Sequence, residues 1–326
     1  MRKGKVNILV FGLLSTGSSA LVDLFREYDN INVIPGEFDD FRAPCLVADQ
    51  LRQESSNDFP NKIDNLTGFK SKLKLIYNIL PILKWRSNPI RGIRGRSISS
   101  VIRIRQLKLL KKLNRRLKSN ITFEDKIEFS NNWITEIGNI SGENKEFVVF
   151  NQPLLTGNDT QIWKEVFSPW KLICVYRDPK DQFADIIKNG RLYLPFGAPK
   201  VNLAGVIIEQ IYGRNRKGAI SLHIEAMKKR LEWVDSMRKE LDPDNFLLVD
   251  FEGLVKNYDH YKSVIENFIG NNKIHHQNTK TYFDPINAMK SIEIYQKYLT
   301  YTEIESLNEL ENWYRNMIQS NSKYNS

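Results

Sequence analysis

Residues 6–25, VNILVFGLLSTGSSALVDLF, constrain the fold more than any other stretch of the chain. An apolar run rich in β-branched residues gives way to small residues between Gly12 and Ser19, after which Leu21, Leu24 and Phe25 recur at helical spacing. The order strand, loop, helix is that of an α/β domain. A helix N-terminus gathers N–H groups without intrahelical partners and the positive end of the helix dipole, and Gly17 lets the chain turn tightly in front of it. Such a loop suits phosphate or sulfate; the bland alternative is an ordinary tight strand-to-helix connection.

The spacing from Gly12 is GxxxxGSS, with Ser18 where a nucleoside-triphosphate loop carries its lysine, so anion binding is expected and an ATPase loop is not. Phe147–Phe150 reads as a further strand, Lys171–Tyr176 has the unbroken apolar character of a strand covered on both faces, and Phe246–Asp250 reads as another buried strand. A short strand from Ile31 to Ile34 should end at Pro35-Gly36 and be followed by the acidic cluster Glu37, Asp39 and Asp40, with Arg42 beside it. Those acids read equally as an exposed acidic turn or a helix start. Arg177-Asp-Pro-Lys closes the strand at Tyr176 and opens a helix, placing Arg177 at the carboxyl edge of a parallel strand, where open α/β sheets bind ligands. The expected fold is therefore α/β: about five parallel strands flanked by helices, one domain over 1–326, with a helical, basic insertion at 50–145.

Charge is local. The net +10 comes from one segment: Lys84–Lys118 holds thirteen Lys or Arg and no acid, and the remainder carries 35 basic against 38 acidic residues. Like charges at that density repel, so an anionic partner is expected there. Nucleic acid, an anionic membrane leaflet and an acidic or lipid-linked glycan fit the charge; neither an aromatic-rich RNA motif nor helix-turn-helix spacing accompanies it, which disfavours nucleic acid. Ile98, Ile102, Leu109, Leu110, Leu113 and Leu117 share one helical face in this region. Cys45 and Cys174 are too few for a disulfide framework, and no run reaches the length of a membrane span, so free thiols and a cytoplasmic protein, peripheral to a membrane at most, are expected. The four histidines lack metal-ligand spacing, and Trp133, Trp163 and Trp233 read as core or half-buried anchors.

Taken together, the ordered motifs resemble the sulfotransferases that use 3′-phosphoadenosine 5′-phosphosulfate. Thr16-Gly17-Ser18-Ser19 matches the SGTT/S part of their 5′-phosphosulfate loop, and Arg177, Pro179 and Asp181 match the RxPxD part of their 3′-phosphate element. Glu37-Phe-Asp-Asp-Phe41 is similar to the ExxxF run of the carbohydrate branch, and Phe251-Glu-Gly-Leu-Val to a later YEDLV segment. The resemblance spans roughly residues 6 to 255 and leaves 50–145 uncovered. It implies 3′-phosphoadenosine 5′-phosphosulfate as donor and no metal. Leu14, Ser15, Thr16, Gly17, Ser18 and Ser19 would lie on the phosphosulfate, Arg177 and Asp185 at the 3′-phosphate, and Glu37 would act as base towards an anionic glycan or glycolipid hydroxyl. Two positions depart from the family. Ser15 stands where a Lys or Arg usually precedes the loop, so the cation must come from Arg42, Lys290 or the basic insertion. Asp185 stands where a serine usually meets the 3′-phosphate, a repulsive placement unless a cation such as Lys188 intervenes; on the residues alone Asp185 is structural or solvent-facing. The rival readings are a P-loop kinase, which lacks the lysine, and a non-enzymatic basic protein that docks on membranes or nucleic acid through residues 84–118.

Overall fold

The computed structural model of the chain describes residues 5–12, 15–42, 47–51, 100–119, 121–140, 145–192, 216–270, 276–277 and 279–319. Leu14, Cys45, residues 52–99, residues 203–215 and His275 fall outside these, and so do the readings placed on them.

Five parallel strands form the central sheet: β1 (Val6–Gly12), β2 (Ile31–Glu37), β3 (Phe147–Asn151), β4 (Trp170–Tyr176) and β5 (Phe246–Asp250). Their order is β2-β3-β1-β4-β5, and helices flank the sheet. The three inner strands are buried along nearly their whole length, which the apolar runs Phe147–Phe150 and Leu172–Tyr176 reflect. The edge strand β5 is only half-buried at Leu248 and Asp250. The other edge strand, β2, departs from expectation by running past Pro35-Gly36 to Glu37. An edge strand tolerates a residue without an N–H, and Gly36, with φ at 79°, absorbs the register shift between Val33 and Glu37.

The chain divides into two compact units interleaved in sequence, Met1–Asn7 with Asn30–Trp170 and Ile8–Asp29 with Lys171–Ser326. In the first, β2 and β3 run in register from Ile31 beside Phe147, and the Phe38 N–H donates to the Asn151 carbonyl at 2.8 Å. Its core is aromatic: Phe38 packs on Trp133, Phe150 and Phe167, and Phe41 meets Phe167 edge-on with centroids 5.1 Å apart. Such pairs add roughly 0.5–1.5 kcal/mol each beyond the area they bury. Short helices α2 (Asp39–Arg42) and α3 (Val47–Gln50) follow β2, then come α4 (Ser100–Leu117), α5 (Phe123–Asn139) and, after β3, α6 (Thr160–Val166). Thr122 and Asp125 close a reciprocal capping box at the start of α5, satisfying two N–H groups that a helix start otherwise leaves open. Along α4, Leu110, Leu113 and Leu117 are buried as expected, with Gln106 beside them, while Ile104 faces solvent.

In the second unit, β4 and β5 pair in parallel from Leu172 beside Phe246 to Tyr176 beside Asp250. Around them lie α1 (Ser18–Phe25), α7 (Pro179–Lys188), α8 (Arg216–Glu240), α9 (Phe251–Lys256), α10 (Tyr258–Ile269), α11 (Pro285–Ala288), α12 (Tyr295–Tyr298) and α13 (Tyr301–Gln319). Pro179 occupies the first turn of α7, and Asp178 caps it by accepting the Lys180 N–H at 2.7 Å. Cys174 is a free, buried thiol, and burial pushes its ionisation well up. Trp163 is fully buried and Trp233 half-buried against Phe11, as anchors should be. Among the described residues, no helix is long and apolar enough to cross a membrane.

Candidate functional site

The loop between β1 and α1 is built to leave a helix start open. Ser15 and Gly17 both take left-handed conformations, with φ at 48° and 85°. A left-handed serine is uncommon, and conformations of this kind concentrate where chains grip ligands. Gly17 is the N-cap of α1; having no side chain it forms no side-chain cap, and the first turn holds no acid. Between the two left-handed residues Thr16 is buried, and its hydroxyl has no hydrogen-bond partner. A buried hydroxyl without a partner costs roughly 1–3 kcal/mol, so its retention in a helix-start loop points to a ligand oxygen. Ser18 is buried as well and opens the helix.

Two groups pin this loop. Phe251, the first residue of α9, packs its ring against Gly17 so closely that a Cβ there would overlap it. Arg177, buried at the end of β4, donates from Nη1 to the Ser15 carbonyl at 3.0 Å and from Nη2 to the Ser291 carbonyl, while its guanidinium lies 5.2 Å from the centre of the Phe251 ring. Its Nε is buried without a partner. Arg177 thus joins the loop to residue 291. Asp181, matched in sequence to the same motif, is also buried, and its two oxygens accept the Glu293 N–H at 2.7 Å and the Tyr295 N–H at 3.1 Å. Arg177 and Asp181 together hold the segment 291–295. Asp185 is half-buried one turn further along α7, and no bond joins its carboxylate to Lys188. Lys290 directs its Nζ to Asn287 Oδ1 at 3.1 Å.

Carboxyls crowd behind Arg177. Asp178 donates its N–H to Glu252 Oε1 at 3.1 Å, and Asp250 caps α9 by accepting the Glu252 N–H at 3.2 Å. Burial, followed by the bond to Asp250, pushes the Glu252 carboxyl up to about 9, and burial lifts Asp178 to about 6 against the pull of Lys180. Lys180 is itself bound to Glu311 of α13, which Arg315 also meets.

Glu37 and Arg42 belong to the other unit. The Glu37 carboxylate is largely exposed at the end of β2, and Arg42 Nη2 bridges it to Asp39, with Arg42 Nε on Asp39 Oδ1 at 2.8 Å. The sequence brings these three groups together as expected, and Arg42 is taken up by two carboxylates. Asp40, by contrast, is buried. Among the described residues, no group of three His, Cys, Asp or Glu is placed to hold a metal ion.

Two features escaped the sequence. Glu27 is fully buried just past the end of α1 and accepts the N–H groups of Lys280, Tyr282 and Phe283 at 3.0–3.1 Å and the His276 ring Nε2 at 2.7 Å. His223 is fully buried in α8 against Phe183, neither ring nitrogen has a partner, and burial lowers its ionisation to about 3. A glutamate beside Arg26 and a histidine within helical text carry no local signal of either.

No protein-family model matches the chain, and no curated protein matches it. Among solved structures it is similar to the sulfotransferase STF9 from Mycobacterium avium, at 10% identity and a TM-score of 0.46, over 95% of this chain and 77% of that one. It is similar also to the sulfotransferase domain from the curacin biosynthetic pathway, at 13% identity and a TM-score of 0.43, over 95% and 98% of the two chains. A third, the sulfotransferase STF1 from Mycobacterium tuberculosis H37Rv, shows 11% identity and a TM-score of 0.43 over 94% and 76%. At this level of likeness the reading of function rests on the chain's own residues.

Proposed function

We propose that the chain transfers a sulfuryl group from 3′-phosphoadenosine 5′-phosphosulfate to a hydroxyl of a carbohydrate. Thr16 carries this reading: a buried hydroxyl without a partner, between two left-handed residues, at a helix start that no side chain caps. A tetrahedral oxyanion in front of α1 supplies the missing partner and meets the positive end of the helix dipole. The bound donor supplies the activated sulfuryl group. Thr16 to Ser19 hold its phosphosulfate end. Arg177 fixes the loop through Ser15, and its guanidinium reaches the 3′-phosphate by giving up the Ser291 carbonyl. In the transfer the acceptor oxygen bonds to sulfur, the bond from sulfur to the bridging oxygen breaks, and adenosine 3′,5′-bisphosphate leaves. By the sequence resemblance, the proton passes to Glu37, one oxygen of which Arg42 holds. For the charge on the departing phosphate, Lys290 is the candidate cation this reading favours, supported by its neighbour Ser291 sharing the Arg177 guanidinium with Ser15.

Calorimetry with the purified protein tests the reading. Adenosine 3′,5′-bisphosphate should bind without magnesium and lose affinity at least about tenfold in Thr16→Val, which deletes one hydrogen bond to a charged ligand. Magnesium-dependent ATP binding in its place would overturn the proposal.

A further inference from the structure

The exposed face of α4 has a composition that the proposed reaction does not use. Arg105, Lys108, Lys111, Lys112, Arg115 and Arg116, with Lys118 just past the helix end, are all exposed, over about 20 Å of helix axis. Among the described residues only Lys112 has a carboxylate partner, Glu136 of α5 at 3.9 Å, and both side chains are about half exposed. Arg116 lies 4.7 Å from the Phe129 ring centre. The acids of α5 do little for the others: Asp125 is tied into its capping box, and neither Glu124 nor Glu128 makes an ion pair with α4. A rigid helix therefore holds a set of like charges close together, which is unfavourable unless something anionic lies against them.

The geometry points to the surface of an anionic lipid bilayer as that partner. At 100° per residue, Arg105, Lys108, Lys112 and Arg115 fall within an arc of about 80°, and Lys111, Lys118 and Arg116 widen it to about 160°. A single linear polyanion follows one stripe and leaves the flanking cations unmatched. A plane of headgroups meets the central row directly, and the flanking side chains, with their long stems, bend down to it. Ile104, 53% exposed at the N-terminal end of the same face, can enter the headgroup layer. Insertion goes no deeper, because Leu110, Leu113 and Leu117 are buried within the protein, so the contact is electrostatic and peripheral. Single-stranded nucleic acid finds no aromatic platform here, since no exposed residue of α4 is aromatic.

The test uses the full chain and vesicles of phosphatidylcholine, alone or with about a quarter phosphatidylserine. The protein should float with the anionic vesicles only and be released by salt. The variant R105Q/K108Q/K112Q/R115Q, checked for an unchanged circular-dichroism spectrum, should lose on the order of a thousandfold in partitioning. The variant K228Q/K229Q/K239Q/K256Q removes the same charge from the other unit and should bind as wild type. In wild-type protein, anionic vesicles should also shield Lys108 and Lys112 from amine acetylation, a readout that needs no variant. Equal binding to neutral vesicles, equal loss in both variants, or unprotected lysines on bound protein would overturn the inference. So would binding of duplex DNA or dextran sulfate, sensitive to the α4 substitutions, by a protein that ignores vesicles.

Discussion

The ring of Phe251 occupies the space that a Cβ on residue 17 would need, so the residue that opens α9 dictates glycine in the loop ahead of α1. The left-handed φ of 85° makes the same demand from the backbone. Gly17→Ala should therefore destabilise the protein by about 2–4 kcal/mol, from backbone strain and overpacking together. Urea unfolding measures this. Adding Phe251→Ala should return the overpacking part but not the strain, leaving a coupling of about 1 kcal/mol or more in the double-mutant cycle.

Arg177 and Asp181 hold the segment 291–295 through backbone groups. Asp181→Asn keeps the shape but removes the charge and one acceptor, so the Glu293 and Tyr295 amides should exchange with deuterium faster while those of β4 do not. Arg177→Lys is not conservative here, because a single ammonium cannot reproduce the planar fork that spans two carbonyls. It should weaken adenosine 3′,5′-bisphosphate binding by about tenfold or more, read by calorimetry.

Glu252 and Asp178 make stability depend on pH in a definite direction. Their folded ionisations lie at about 9 and about 6, above the ordinary 4.5 and 3.8. The stability they contribute is fully present below the ordinary values and is lost as pH rises through the folded ones. Glu252→Gln cannot ionise, so relative to wild type it should gain stability between pH 5 and pH 9, by about 1 kcal/mol or more. Paired urea titrations across that range check the sign.

Glu37→Gln should abolish sulfate transfer and leave nucleotide binding intact, whereas Lys290→Met should lower turnover by about 10²-fold or more with the same binding. Unchanged transfer by Glu37→Gln would move the base to Asp39, since Asp40 is buried. A transfer assay beside calorimetry separates these cases.

How legible all this was in the sequence varied with the range of the interaction. The strands were readable because burial on both faces writes itself into consecutive residues, as at Leu172 to Tyr176. The loop was readable because small residues before a helix have few other uses. What Arg177 and Asp181 bind was not, since Ser15 and the 291–295 segment lie more than a hundred positions away. Pro35-Gly36 misled for a different reason. It is a strand stop in an inner strand but not at an edge, and sheet order is a property of the whole fold.

The burial of Glu27 bears on the birth of the protein. Its four donors stand 249 to 256 residues downstream. At translation rates of roughly 5–20 residues per second, α1 leaves the ribosome on the order of 10–50 s before they exist. Until residues 276–283 emerge, that carboxylate must stay hydrated, which keeps the nascent amino-terminal segment from burying its end. The clamp therefore delays the closure of the second unit until residues 276–283 have been made, and a chain stalled before residue 276 should remain open there to proteases and chaperones.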